Sequence, residues 1–248
     1  MKIWQFIGLA WMACMTVSCD KESMNRTIGA VTPLLSGSKT VKGLTNGDII
    51  SGLKSALQVG SKNASSSLHK QNAYYGNPLL KILFPKEAQV VATTLNKIGM
   101  SSLVNKVVVS LNRAAEDAAI KAKPVFWSAI SSMTIRDGLN ILQGSNNAAT
   151  QYLRKTAGIK LAQVFMPQIA SSLRKVHATK YWADVMRYYN RVPFVKKINP
   201  NLTSYVTQKA LNGLFSTVAK EETLIRKNPM KRVNSILRKV FGSLDRRR

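Results

Sequence analysis

From Asp48 to the C terminus, apolar positions recur at three- and four-residue spacing, and no stretch alternates convincingly with a period of two. The pattern predicts an all-α single domain of roughly eight to ten helices. They fall near 48–68, 86–98, 102–122, 124–132, 135–143, 147–156, 159–176, 179–191, 202–227 and 229–241. Their ends have chemical reasons. Asn77-Pro78 and Asn228-Pro229 place a capping side chain before a proline whose fixed φ suits a first helical position. Thr134-Ile135-Arg136-Asp137 fits a capping box, and Gly99 and Gly144 suit helix ends.

Helix 102–122 departs from a one-sided stripe. Leu103, Val107, Leu111, Ala114, Ala115, Ala118 and Ala122 share one face, while Val109, Arg113, Glu116 and Ile120 share the opposite one. An arginine and a glutamate bracketed by apolar residues imply a helix covered on both sides, with Arg113 and Glu116 partly buried. Asp117 is a second partner for Arg113 at i, i+4. Such a pair is either a register-fixing ion pair or the floor of a polar pocket, which Asp137 could join. The capping role already accounts for Asp137.

Upstream of the domain the pattern changes. Residues 3–17 are apolar except for Gln5 and Thr16, follow Lys2, and end at Thr16-Val17-Ser18-Cys19. The run has the length of a signal-peptide core and is short for a bilayer span. Its end resembles a bacterial lipobox, with Thr16 where leucine is usual. Residues 1–18 are therefore expected to be a lipoprotein-type signal peptide and Cys19 the lipidated residue. An ordinary secretory signal that happens to contain Cys19 is the alternative. The register of apolar run and cysteine favours the lipid, whose buried methylenes contribute about 0.8 kcal/mol each to anchoring. Residues 19–47, polar and rich in Ser, Thr, Gly and Asn, read as a lipidated flexible tether, 48–242 as the helical domain, and 243–248 as a basic tail. The two cysteines, Cys14 and Cys19, leave no disulfide framework in the mature chain.

Charge sharpens the picture. Lys and Arg total 37 against 11 Asp and Glu, a net +26, and removing residues 1–18 takes away only Lys2. Such a chain is drawn to anionic surfaces: phospholipid headgroups, lipopolysaccharide, acidic polymers or nucleic acid. Export argues against nucleic acid. Within 174–197, Lys180, Arg187, Arg191, Lys196 and Lys197 are interleaved with Tyr181, Trp182, Tyr188, Tyr189 and Phe194. Those aromatics belong either to a headgroup-binding surface or to the core, since Trp182, Val185 and Tyr189 line one helical side. Near the C terminus, Met230, Val233, Ile236, Leu237, Val240 and Phe241 form an apolar stripe opposite Lys231, Arg232, Arg238 and Lys239. That helix either lies on a membrane or docks on its own domain.

Long runs of the chain carry a resemblance. They are "SLNRAAEDAAIKAKPVFWSAISSMTIRDGLNILQGSNNAATQYLRKTA" at 110–157 and "ATKYWADVMRYYNRVPFVKKINPNLTSYVTQKALNGLF" at 178–215. "GLKSALQVGSKNA" at 52–64, "NPLLKILFP" at 77–85 and "NPMKRVNSILRKVFG" at 228–242 fit as well. Together they resemble a bacterial family of exported proteins, domain-of-unknown-function family 4197, across about 48–242. The resemblance implies an exported, helical, single-domain protein without an established activity, and it lends no catalytic residue. This chain is more basic than the family pattern.

Motif chemistry adds little. His69 and His177, the only histidines, have no ligand partner at metal-binding spacing, so no metal or other cofactor is expected. "GSKT" at 37–40 lacks the upstream glycine and strand of a phosphate loop, and no nucleophile elbow occurs. The expectation is an envelope lipoprotein, membrane-held through Cys19 with the outer membrane favoured. Its role is to bind or organise an anionic component rather than to catalyse. The alternative is an enzyme or small-ligand binder built on Arg113, Glu116 and Asp137.

Overall fold

The computed structural model describes residues 45–191, 193–194, 201–232 and 235–245. The signal segment, Cys19, the tether up to residue 44, Lys196, Lys197 and residues 246–248 lie outside the described residues. Among the described residues the chain is helical, without strands. The α-helices are α1 (Asn46–Leu68), α2 (Gln89–Lys97), α3 (Ser101–Ala119), α4 (Ala122–Ser131), α5 (Ile135–Gln143), α6 (Ala148–Lys175), α7 (Ala178–Tyr189), α8 (Leu202–Lys227) and α9 (Ser235–Asp245). Single 3-10 turns occupy Lys86–Ala88 and Pro229–Lys231.

Helices α1, α3, α6 and α8 form the centre: α6 packs on α8 and α3, and α8 on α1 and α3. Around them α4 and α5 bridge α1 and α6, α2 and α7 cover α3, and α9 lies on α1. The buried apolar side chains run from Ile49 to Phe241, so Gly43–Arg248 is a compact unit with its own core, the property of a segment that folds by itself.

Two capping boxes set helix starts. Thr45 receives the Asp48 N–H at 3.1 Å and donates its own N–H to Asp48 at 2.9 Å, so α1 begins inside the segment read as tether. Thr134 and Asp137 make the same pair of bonds at 3.2 and 3.0 Å and start α5 as expected. Gly99 ends the turn after α2 at φ +80°, open to a residue without a side chain.

Some expected ends are displaced. Segments 147–156 and 159–176 are one helix, α6, which runs through Gly158 and Pro167. Buried Leu153, Ala157, Leu161, Phe165 and Ile169 give it an unbroken inner stripe. That packing outweighs the roughly 1 kcal/mol a mid-helix glycine removes. Asn77 and Asn228 do receive N–H bonds beyond their prolines, from Leu79 and Met230, at 3.0 Å each, yet each starts only a single turn. The expected helix 229–241 is therefore a 3-10 turn followed by α9, and Met230, 90% exposed, has left the apolar stripe. Val240 and Phe241 are buried against the domain, so the terminal helix docks on its own fold. On α7, Trp182, Val185 and Tyr189 are likewise core.

Candidate functional site

Segment 69–85 connects α1 to α2 and contains no α-helix, so its backbone polar groups need partners from elsewhere. Helix α3 supplies them. Asn112, fully buried, accepts the Ile82 N–H at 2.8 Å and returns a bond to the Ile82 carbonyl at 2.8 Å, as a backbone strand would. One turn on, Glu116 Oε1 accepts from the Tyr74 and Tyr75 N–H groups at 3.1 and 3.3 Å. Its other oxygen takes Arg113 Nη1 at 2.6 Å. Arg113 also donates to Asn72 Oδ1 at 2.8 Å, which holds Asn72 in its left-handed conformation at φ 67°. The two-sided pattern of α3 thus has its cause: helices lie on one side and a non-helical strap on the other.

The strap is pinned at Tyr74. Its hydroxyl donates to the Ala210 carbonyl of α8 at 2.7 Å, and its ring rests on Gly213, where a Cβ would stand 2.6 Å from Cε1. Burial, reinforced by the Glu116 charge, pushes the Tyr74 hydroxyl pKa well above the usual phenol value.

Beside Arg113 and Glu116 opens a solvent-facing hollow of about 300 Å³, lined in part by His69, Asp117, Ser172 and Lys175. His69, Arg113, Glu116, Asp117 and Ser172 are all engaged with neighbouring groups. Nδ1 of His69 lies 2.9 Å from the Glu116 carbonyl, which can only accept, so Nδ1 carries the proton. Asp117 pairs with the Ser172 hydroxyl and takes Gln168 Nε2 at 3.1 Å; the Arg113–Asp117 pairing expected at i, i+4 gives way to Arg113–Glu116. Two cations, Arg113 and Lys175, balance two carboxylates, Glu116 and Asp117, around the hollow. The serine hydroxyl donates to the Asp117 carboxylate rather than to a histidine.

Asp137 does not belong to this group. Its neighbour Gly138 packs on Ile50 and Leu53, near the start of α1, whereas Glu116 and Arg113 hold the strap just past the end of α1, at His69 and Asn72. At 1.5 Å per residue these points are about 28 Å apart along the helix. Asp137 serves its cap: side-chain and backbone bonds from Thr134 hold its pKa below the usual carboxylate value.

A second buried acid escaped sequence reasoning. Glu222 of α8 accepts from the Ala149 and Thr150 N–H groups at 3.0 and 2.8 Å and from the Thr150 hydroxyl at 2.8 Å. It thereby caps α6, whose own N-cap residue, Asn147, makes no capping bond. Arg226 joins Glu222 at 3.0 Å and reaches the Ile141 carbonyl at the end of α5 at 2.8 Å. The signal was present: Leu214, Val218, Glu222 and Ile225 share one helical stripe.

The basic candidates separate. Lys180, Arg187, Arg191, Lys231, Arg238 and Lys239 are exposed. Arg232 is not an outward contact: it is 3% exposed and donates to the Ile225 and Arg226 carbonyls at 3.1 and 2.9 Å, closing the end of α8. The two clusters also do not form one patch. Lys239 acts on Asp48 at the start of α1, while Lys175 shares a hollow with His69 just past its end, about 30 Å away. Among the described residues, no set of three or more His, Cys, Asp or Glu side chains could hold a metal ion, and no helix is long and apolar enough to cross a membrane.

The family model described as "Protein of unknown function (DUF4197)" matches residues 43–242. Neither the curated proteins nor the solved structures contain a match to the chain.

Proposed function

The chain belongs to the DUF4197 family of proteins of unknown function, and from that premise we propose that its domain is a non-enzymatic binder of an anionic component of the bacterial envelope. Lipid on Cys19 would hold it at a membrane. One observation carries the reading: the acids Asp48, Glu116, Asp117, Asp137, Asp184, Glu221 and Glu222 are all bonded to the protein's own groups, whereas no described lysine is paired with a carboxylate. Asp48 and Asp137 close capping boxes, Glu116 and Glu222 hold foreign backbone, and Asp117 holds Ser172. Glu221 takes Asn63, and Asp184 neutralises Arg187 on the surface. Among the described residues the ion pairs belong to arginines, and no lysine pairs with a carboxylate. The outer charge is therefore strongly positive and free to act on a partner.

The test is co-sedimentation of residues 43–248 with vesicles containing phosphatidylglycerol or only phosphatidylcholine. Binding to the anionic vesicles that weakens as salt rises supports the reading, because exposed charges are screened within about 10 Å at 0.1 M salt. Equal binding to both, or none to either, rejects it. The anchor is read separately: intact mass should show a diacylglycerol-sized addition that Cys19→Ala removes. A second reading, a small polar ligand beside Arg113, is favoured by the openness of the 300 Å³ hollow. Saturable, salt-resistant binding of one small molecule, lost in Arg113→Ala, would select it.

A further inference from the structure

Helix α4 stands as a ridge between two hollows. One, of about 260 Å³, lies against α1 and is lined by Val59, Lys62, Lys123 and Trp127. The other, of about 460 Å³, lies against α6 and includes Pro124 and Lys160. Trp127 is 59% exposed, whereas Trp182, the other tryptophan of the domain, is buried. Lone surface apolar residues are ordinary. This one stands among exposed or half-buried lysines, and an acid that reaches α6 from outside, Asp137 beside Tyr152 and Lys155, is held in its capping box. Helices α4 and α6 contain no carboxylate at all. Helix α1 has only Asp48, locked in its capping box about 21 Å before Lys62. Glu221 of α8 reaches α1 at Asn63 and is occupied there.

We propose that this ridge is the face by which the domain seats on an anionic phospholipid surface: Trp127 enters the headgroup layer, and Lys62, Lys123 and Lys160 meet lipid phosphates. The inference rests on the anionic-surface reading and specifies its contact. Tryptophan suits the position because its ring is apolar and its N–H needs a wet partner, the two conditions that a bilayer interface offers together. Lysine stems lie along apolar surface while their ammonium groups stay at the phosphates. Each such lysine strengthens binding roughly fivefold. The hollows on either side leave room for acyl chains or headgroups to close around the ridge.

The experiment uses residues 43–248, in which Trp127 and Trp182 are the tryptophans. Phosphatidylglycerol vesicles should shift the Trp127 emission to the blue, and brominated acyl chains should quench it. The Trp127→Phe form, which reports Trp182 alone, should be unaffected. Trp127→Ala should bind about fivefold more weakly, and Lys62→Gln with Lys123→Gln about 25-fold, with unchanged far-UV circular dichroism. If the domain binds anionic vesicles in a salt-sensitive way while Trp127 emission stays put and these variants bind like wild type, the ridge is wrong and the electrostatic reading survives. No preference for anionic vesicles defeats both. A concentration-dependent emission shift without vesicles, with a dimer that Trp127→Ala converts to monomer, would assign the ridge to a second copy of the chain and overturn the lipid proposal.

Discussion

The Glu222–Arg226 and Glu116–Arg113 pairs use the same chemistry in different surroundings. In each, a buried glutamate carries an arginine one helical turn away and accepts two backbone N–H groups from another segment. Glu222 and Arg226 are sealed, with side chains 7% and 9% exposed and only a void of about 20 Å³ beside them. Arg113 is 25% exposed and borders the 300 Å³ hollow. The difference teaches where a polar pair stops being purely structural. A sealed arginine that loses its carboxylate cannot turn to water, whereas one at the edge of a hollow can turn to water or to a ligand.

Removing the glutamates separates the two most strongly. Glu222→Ala leaves Arg226 buried and uncompensated and uncaps α6, so chemical denaturation should show a loss of about 3–5 kcal/mol. Glu116→Ala should lose less, about 2–3 kcal/mol, because Arg113 can rehydrate in the hollow. Equal losses would break the comparison. Gly213→Ala then probes the strap that Glu116 supports. Its Cβ would meet the Tyr74 ring at 2.6 Å, and the overpacking should destabilise by about 1–3 kcal/mol. Gly158→Ala, with nothing within 4 Å, should be neutral or stabilising by less than about 1 kcal/mol. Effects of similar size belong to the caps. Thr134→Ala should lose about 1 kcal/mol at neutral pH. Bonds from Thr45 and from Thr134 hold Asp48 and Asp137 below the ordinary carboxylate pKa of 3.8. Their contribution is present above that value and fades as pH falls through the lowered one. A titration of stability below pH 4 should therefore be flatter in Asp48→Asn and Asp137→Asn than in wild type.

How legible this was depends on how local each cause is. The Thr134–Asp137 cap involves neighbours in sequence and could be read directly. So could the double-sided α3, because burial on two faces leaves two apolar rows. The partner of Glu116 could not be read, since the Tyr74 and Tyr75 amides lie more than forty residues away. Asn112 looks like an ordinary polar interruption until the strap is seen against it. Arg232 resembled a solvated cation because spacing says nothing about carbonyls waiting at the end of α8. Asp137 follows Arg113 closely in sequence, and only the length of α1 between their contacts separates them. Gly158 suggested a break that the inner stripe of α6 overrides.

The central claim is that charge inside the domain builds it while charge outside meets the partner. One salt series of anionic-vesicle binding decides it, run on residues 43–248 as wild type, as Arg113→Ala and as Lys62→Gln with Lys123→Gln. The account predicts that Arg113→Ala, once shown to be folded, binds like wild type with the same salt dependence, and that the double lysine variant binds about 25-fold more weakly. Binding lost in folded Arg113→Ala and kept in the lysine variant would contradict it and move the partner into the hollow.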